Sequence, residues 1–307
     1  MTGGVDRRSL DTLPLVTAMP PSGTHGGDGP AIARALGIDV LDLSQSLNPF
    51  APDVAAIVSD HLHAIRHYPD PVDATSLLAG VIGVDSERLL LTNGGSEAIA
   101  LVAREIGGRV ASEPEFALHP RGEGPVWRSD PHNPSGRLAG EGEIVDVWDE
   151  AFYPLATGRW HAHRPGVTVG SLTKVFACPG LRLGYVIADD VERFARHQPK
   201  WAVSAIASAA LGDLIAIADL EGWHRAIAAA RDRLVDELVR RDLPVTASDA
   251  PWVLVKSPGL RARLAGRGVA VRDCASFGMV DWHRIAVPGD DGLDRLLVAL
   301  DAAEGGP

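Results

Sequence analysis

Short apolar runs alternate with helix-like segments over the first two thirds of the chain. Five of them have the length and composition of buried strands, at residues 89–91, 110–111, 144–148, 167–169 and 183–188. Because strands that alternate with helices form a sheet covered by helices, the pattern predicts an α/β fold with a mostly parallel sheet. In the later part, residues 223–241 have the 3.6-residue apolar period of a helix. Strand-like runs follow at 252–255, 269–272 and 284–287, with a last helix near 292–303. Together they predict a small C-terminal α+β domain.

A chain of 307 residues exceeds the usual size of a single hydrophobic core, so we predict more than one domain. The predicted division is an N-terminal arm over 1–40, a large domain over 41–200 and a small domain over 201–307. Within the large domain, residues 137–143 are rich in glycine, and the stretches around them are short for parallel crossovers, which normally take a dozen or more residues including a helix. We therefore expect trimmed crossover helices and a reduced large domain.

Composition excludes several classes of protein. The net charge of −11 argues against a nucleic-acid binder, which needs a basic face. The apolar runs are too short to span a bilayer, and no such run follows Arg7 and Arg8 as in a signal peptide. The two cysteines, Cys178 and Cys274, fit no metal-ligand spacing. We expect a cytoplasmic protein with no metal, nucleic-acid or membrane partner.

A glycine turn follows the strand-like run at 89–91, where Gly94, Gly95 and Ser96 open a predicted helix. Glycines let backbone N–H groups approach an anion, and the helix N-terminus adds its positive dipole end. Ser96 can cap the helix or donate to a phosphate. Since many turns of this kind only start a helix, both interpretations stay open for the motif by itself.

Lys174 stands at the end of a strand-like run and is preceded by Ser171 and Thr173. A lysine there is unusual because lysines are mostly exposed, whereas a lysine that forms a Schiff base needs a lowered pKa and a fixed position. Arg182 follows eight residues later and can hold a phosphate through two hydrogen bonds. The alternative is a surface lysine beside a loop arginine.

Two more polar residues follow predicted strands or turns. Asn133 lies in the turn at 130–136, and Asp149 ends the run at 144–148. A carboxylate at the end of a buried strand can pair with a protonated ring nitrogen of a cofactor. The alternative for Asp149 is a helix cap or a buried ion-pair partner.

Taken together and in this order, the glycine turn, Phe116, Asn133, Asp149, Lys174 and Arg182 resemble the motifs of the aspartate-aminotransferase superfamily. The resemblance implies the fold-type I architecture and the cofactor pyridoxal 5′-phosphate (PLP). It implies that Lys174 is the catalytic Schiff-base lysine and proton shuttle, and that Asp149 keeps the pyridine nitrogen protonated.

The same resemblance implies the remaining cofactor contacts. These are a phosphate cup of Gly94, Gly95, Ser96, Ser171, Thr173 and Arg182, a hydrogen bond from Asn133 to the 3′-oxygen, Phe116 stacked on the ring, His119 supporting Asp149, and Tyr68 reaching the phosphate of the neighbouring subunit. The match of Tyr68 implies a homodimer with active sites at the interface.

Within the superfamily, the chain is similar to the threonine-phosphate decarboxylases of cobalamin biosynthesis and to their sisters, the histidinol-phosphate aminotransferases. The similarity is carried by the His25-Gly26-Gly27-Asp28 segment, the segments 41–49 and 171–185, and two arginine segments at 271–275 and 284–287. It implies four substrate contacts: Arg284 to the carboxylate, Arg272 and His25 to the substrate phosphate, and Asn48. The pattern departs from relatives at Phe152, often a tyrosine in aminotransferases, and at His119, typically a tyrosine in the narrower group.

Three functions are consistent with these motifs. The first is decarboxylation of L-threonine O-3-phosphate, favoured by the His-Gly-Gly segment, and the second is transamination of histidinol phosphate or a similar phosphorylated amino compound. The third is an inactive PLP-fold protein that binds a ligand or partner. Retention of the lysine, aspartate, asparagine and arginine motifs argues against the third.

Overall fold

The computed structural model describes residues 19–23 and 25–304, so residues 1–18 and Thr24 of the predicted arm lie outside the described part. The α-helices are α1 (Gly29–Leu36), α2 (Val54–Asp60), α3 (Val72–Ile82), α4 (Gly94–Ile106), α5 (Tyr153–Thr157), α6 (Leu172–Val175), α7 (Glu192–Ala195), α8 (Ala205–Ala216), α9 (Leu220–Val239), α10 (Leu260–Ala265) and α11 (Asp290–Glu304). The strands are β1 (Leu41–Leu43), β2 (Leu89–Asn93), β3 (Arg109–Val110), β4 (Val126–Ser129), β5 (Val147–Asp149), β6 (Val167–Ser171), β7 (Leu183–Ile187), β8 (Val245–Thr246), β9 (Trp252–Lys256), β10 (Val269–Asp273) and β11 (Trp282–Ala286). Short 3₁₀ helices cover Leu62–Arg66, Ser86–Arg88 and Ala275–Phe277.

Six strands form the first sheet, in the order β2-β7-β6-β5-β4-β3. Strands β3, β4, β5 and β6 pair in parallel, whereas β7 is antiparallel to both of its neighbours. The prediction of a mostly parallel sheet is confirmed. Since the parallel strands point the same way, β4, β5 and β6 bring their carboxyl ends to one edge, where ligands of α/β proteins bind.

The strand predicted at 144–148 is placed too early. The observed strand starts at Val147, and Ile144 is 80% exposed because the glycine-rich turn before it lies on the surface with no layer to pack against. Strand β4 was not predicted from the sequence, although its residue Trp127 is fully buried. Its sequence, Val-Trp-Arg-Ser, mixes polar and apolar residues and is too short for a clear period.

The parallel connections of the first sheet are trimmed, as predicted. Residues 111–125 and 130–146 join successive strands without a helix, and the connection from β5 to β6 contains only the five-residue α5. On one face the sheet packs against α4 and α7 through a cluster that includes Trp127, Val169, Val186 and Phe194. The other face packs against α3, α8 and the start of α9, with Leu78, Leu183, Leu211 and Ile227 among the buried residues.

The second sheet has the order β1-β10-β11-β9-β8 and packs against α9 and α11. The predicted α+β character of the C-terminal region is confirmed, but two elements lie elsewhere than the predicted division places them. Strand β1 pairs in parallel with β10, because Leu43 completes the core of the second sheet. Helix α8, beyond residue 200, packs with α3 in the core of the first sheet. No described helix has the length and apolar character that crossing a bilayer requires.

Candidate active site

A cavity of about 300 Å³ opens at the carboxyl ends of the parallel strands. Strands β4, β5 and β6 end there at Ser129, Asp149 and Ser171, and all three residues line it. Twelve of the predicted site residues line this cavity: His25, Gly95, Ser96, Phe116, Asn133, Asp149, Ser171, Thr173, Lys174, Arg182, Arg272 and Arg284. The fold therefore gathers residues that are up to 259 positions apart in sequence, from 25 to 284, around a single space.

Lys174 lies in the short helix α6, directly after the fully buried strand β6. Burial is the main cause that lowers the pKa of its ammonium to about 8; the positive charges of Arg284, Arg272 and Arg182 act in the same direction, and Asp149 opposes them. Its Nζ lies 5.7 Å from the centre of the Phe152 ring. A partly buried lysine with a lowered pKa is the kind of amine that acts as a nucleophile toward carbonyl groups.

Asp149 and His119 form a buried pair behind the cavity. The Nε2 of His119 lies 3.0 Å from Oδ2 of Asp149, and the other carboxylate oxygen accepts from the Ala151 N–H at 3.0 Å. His119 has no exposed side-chain surface and lies behind Asp149 rather than on the cavity wall. The aspartate thus presents an oriented carboxylate to the cavity.

The N-terminus of helix α4 and Arg182 lie at one end of the cavity, where an anion could bind. The first residue of the helix, Gly94, has a φ of +76°, and a Cβ there would lie 2.3 Å from Nη2 of Arg182. Only glycine at this position lets the arginine side chain reach the helix N-terminus. The guanidinium keeps long contacts, 3.4 Å to the Pro179 carbonyl and 3.5 Å to the Asn93 carbonyl, so its donors remain available to an anion.

Two buried arginines occupy the opposite wall, which belongs to the second sheet. Arg272 on β10 and Arg284 on β11 are paired in the antiparallel register and are each 4% exposed. Full burial, with the nearby charge of Arg272, lowers the pKa of Arg284 to about 9. The Arg284 guanidinium lies over the Trp252 ring at 4.6 Å and donates to Oδ1 of Asn133 at 2.9 Å.

The His25 segment folds against the end of β1. The Oγ of Ser44 accepts from the N–H of Gly27 at 2.8 Å, and a Cβ on Gly26 would lie only 2.1 Å from the Ser44 carbonyl oxygen. The His25 ring lies 5.6 Å from the Phe116 ring. Burial, followed by the charge of Arg272, lowers the pKa of His25.

Some predicted site residues lie outside the cavity. Gly94 lies behind Arg182, and Asn48 uses its amide to hold the chain that follows Lys174, donating to the Val175 carbonyl at 2.9 Å. Tyr68 is 77% exposed and stacks on Trp201 with ring centres 4.5 Å apart. The cavity also has lining residues that sequence reasoning did not assign, among them Gly26, Ser44, Gln45, Ser129, Phe152 and Pro179. Ser129 was missed with its strand; Ser44 and Gly26 lie inside motifs whose other members were assigned.

The residues of the cavity fit PLP. Lys174 offers an amine of lowered pKa for the aldehyde, and Asp149 offers a carboxylate for a ring nitrogen. The backbone of Gly95, the Ser96 hydroxyl and Arg182 form a cradle for a phosphate, which a Cβ at residue 94 would obstruct.

Comparisons with known proteins agree with this architecture. The family model described as aminotransferase class I and II matches residues 124–300. The chain is 26% identical to "Histidinol-phosphate aminotransferase 1" of Dechloromonas aromatica over 339 aligned positions, covering 89% of this chain and 93% of the relative. It is 29% identical to the threonine-phosphate decarboxylase of Salmonella typhimurium, covering 90% of this chain and 95% of the relative.

A solved structure has the same fold. The histidinol-phosphate aminotransferase of Sinorhizobium meliloti, crystallised in complex with pyridoxal-5′-phosphate, superposes with a TM-score of 0.77 at 19% identity, covering 95% of this chain and 97% of that one. The predicted fold-type I architecture is therefore confirmed. Since the family model covers more than half of its residues, the chain belongs to the aminotransferase class I and II family.

Proposed function

We propose that the protein decarboxylates L-threonine O-3-phosphate in cobalamin biosynthesis, with PLP held on Lys174. Enzymes of the aminotransferase class I and II family use PLP, and family membership argues against the inactive, ligand-binding alternative. The observation that carries the substrate proposal is the position of His25, which lines the same cavity as Arg272 and Arg284. The cavity then has a guanidinium and an imidazole for a phosphate, in addition to the guanidinium for a carboxylate.

The proposed roles follow from the positions of the side chains. PLP supplies an electron sink for charge that develops at the substrate Cα. Lys174 holds the cofactor and moves a proton at Cα with its Nζ, for which a pKa of about 8 is suited near neutral pH. Asp149, oriented by His119, holds a proton at the ring nitrogen, and Phe116 packs on the ring face. Ser96, Ser171, Thr173 and Arg182 bind the cofactor phosphate.

The substrate is bound at both of its anionic ends. Arg284 binds the carboxylate through its planar guanidinium, which is already oriented by Asn133 and Trp252. Arg272, with His25, binds the substrate phosphate. The tilt that these two anchors would impose on the bound substrate would decide which bond at Cα breaks, and so whether CO2 or a proton leaves.

Transamination of histidinol phosphate, or of a similar phosphorylated amino compound, is the second candidate. It is favoured by the names of most of the similar relatives, which are histidinol-phosphate aminotransferases. The same arginines serve this reaction, since the amino-group acceptor is itself a dicarboxylic oxo acid. We prefer the decarboxylase proposal because of the His25 segment, which is held against Ser44 by the hydrogen bond from the Gly27 N–H.

One assay separates the two candidates. With L-threonine O-3-phosphate as the only substrate, the proposed decarboxylase releases CO2 over many turnovers, because its cofactor returns unchanged. A transaminase stops after one turnover until an oxo acid such as 2-oxoglutarate is added. Activity that depends strictly on 2-oxoglutarate contradicts the decarboxylase proposal and supports the second candidate.

A homodimer is proposed as the working form. Tyr68 and Trp201 stack on the surface and do not line the cavity, and Leu62, Ile65 and Val72, which are close to Tyr68 in sequence, are also exposed. Exposed apolar side chains that lie together mark surfaces that bind another protein chain. In the proposed dimer, this surface meets a second copy, and Tyr68 of one protomer reaches the phosphate site of its partner.

A further inference from the structure

Glu115 is a buried carboxylate to which the proposed function assigns no role. It lies in the helix-free connection between β3 and β4, and only 3% of its surface is exposed. Burying a carboxylate is unfavourable unless hydrogen bonds replace the lost water, and a fold retains such a group where its partners are well placed. Its partners here are all parts of the active site.

Three donors converge on the Glu115 carboxylate. Oε1 accepts from the Phe116 N–H at 2.8 Å and from the Ser129 hydroxyl at 2.8 Å, and Oε2 accepts from the Ser129 N–H at 2.9 Å. Phe116 and Ser129 both line the cavity. Ser129 belongs to β4 and is paired in register with Asp149 of β5. Glu115 therefore fixes the position of Phe116, the residue proposed to face the cofactor, relative to β4.

The same carboxylate faces His119 from the side opposite Asp149. Because a carboxylate accepts, the Nε2 of His119 is the nitrogen that donates to Asp149. Its Nδ1 lies 3.9 Å from Oε1 of Glu115 and has no hydrogen-bond partner among residues 19–23 and 25–304. The imidazole is thus held in a row between two carboxylates, with almost no exposed surface in any of the three side chains.

Other charged or titratable groups face this row, among them Lys174, whose pKa the charge of Asp149 raises. His132 places its Nε2 4.0 Å from Oε2 of Glu115. Arg121 donates to the main-chain carbonyls of Glu115, Phe116 and His119 at 2.6 to 2.8 Å, so it holds the loop from the outside while Glu115 holds it from the inside.

We propose that Glu115 is a positioning residue of this active site, which fixes Phe116 and acts through His119 on Asp149. The inference rests on the proposed use of PLP, but not on the choice between decarboxylation and transamination. Glu115 touches neither the cofactor nor the substrate. It keeps the imidazole aligned with Asp149 and adds a negative charge behind it.

The test compares Glu115→Gln, His119→Asn and the double variant, each as the PLP-loaded protein. Glu123→Gln is the control, since it makes the same change in the same connection on an exposed side chain. The readouts are the pH midpoint at which the absorption of bound PLP changes, kcat and KM separately, and the thermal unfolding midpoint. We expect E115Q to move the absorption midpoint to lower pH by at least about 0.3 unit, because removing the negative charge behind the imidazole reduces the negative charge that His119 and Asp149 together present, which makes proton loss easier. Glu123→Gln keeps the wild-type midpoint.

Coupling identifies the route of the effect. If Glu115 acts through His119, adding E115Q to H119N moves the midpoint no further, since the two changes are not independent. An equal shift with and without His119, or a wild-type midpoint in PLP-loaded E115Q, overturns the inference. A residue with a merely structural role would lower the unfolding temperature and leave the midpoint unchanged.

A second variant covers a failure of E115Q to fold. Glu115→Asp keeps the charge but withdraws it by one methylene group, and a smaller shift in the same direction is expected; no shift overturns the inference. The outcome also stays separate from the proposed reaction. If the wild-type protein binds PLP but does not act on threonine phosphate, the reaction proposal fails, while the midpoint comparison still tests Glu115.

Discussion

Arg284 of β11 donates a hydrogen bond of 2.9 Å to the side-chain oxygen of Asn133, which lies 151 positions away in the turn after β4 of the other sheet. Beside it, the indole N–H of Trp252 donates to the Pro134 carbonyl at 2.9 Å, and its ring supports the Arg284 guanidinium. The wall proposed to bind the substrate is therefore attached to the loop proposed to hold the cofactor. A change in one is transmitted directly to the other.

Replacing Arg284 by lysine removes the planar guanidinium while keeping a positive charge. We expect KM for the amino-acid substrate to rise about 10- to 100-fold, since lysine neither forms the two-pronged carboxylate contact nor stacks on Trp252 in the same way. Steady-state kinetics measures the change. Arg295→Lys, at an exposed ion pair with Asp39, is the control and should keep the wild-type KM. An unaltered KM in R284K contradicts the carboxylate role.

Gly26→Ala tests whether the packing of the His25 segment against Ser44 matters for substrate binding. The added methyl group would lie 2.1 Å from the Ser44 carbonyl oxygen, so the segment has to move away and take His25 with it. We expect KM for a phosphorylated substrate to rise several-fold with little loss of bound PLP. Gly80→Ala is the control, because a Cβ there meets nothing within 4 Å. Equal kinetics in both variants would show that His25 does not contact the substrate.

The pH dependence of PLP uptake follows from the lowered pKa of Lys174. Only the unprotonated amine attacks an aldehyde, so uptake by the cofactor-free protein should accelerate with pH up to about 8 and then level off. With an ordinary lysine, the uptake rate would instead keep rising toward pH 10.5. Stopped-flow absorption at a series of pH values measures uptake.

The stability of the cofactor-free protein also rises with pH in this range. Between pH 8 and 10.5 the lysine of the unfolded chain still binds a proton that the folded protein has lost, so the free energy of unfolding increases as pH rises.

Much of the site could be predicted because its motifs sit where strands end. Asp149 ends β5, Lys174 follows β6 and Asn133 follows β4, and parallel strands bring such ends together whatever the loops do. The placement of Asn48 could not be foreseen, since its amide is used by the Val175 carbonyl 127 residues away. Nor could the pairing of β1 with β10, which depends on a long-range contact that no local pattern records. The role of Glu115 was hidden for a similar reason, because its partner Ser129 lies in a strand without a clear period.

Dimerisation is predicted from the exposed stack of Tyr68 and Trp201. Sedimentation equilibrium should give a mass near twice that of the 32.4 kDa chain. Trp201→Ala should shift the equilibrium toward monomer and lower activity in parallel, because the proposed phosphate site needs the partner's tyrosine. A fully active monomer contradicts the shared site.

The identity of the lysine that carries PLP tests the account most directly. The chain contains three lysines, Lys174, Lys200 and Lys256, so reduction of the PLP-loaded protein with borohydride followed by peptide mapping gives an unambiguous answer. We predict a pyridoxyl group on Lys174 alone, and none after reduction of Lys174→Ala. A pyridoxyl group on Lys200 or Lys256 in the wild-type protein, or undiminished labelling of the K174A variant, would contradict the account.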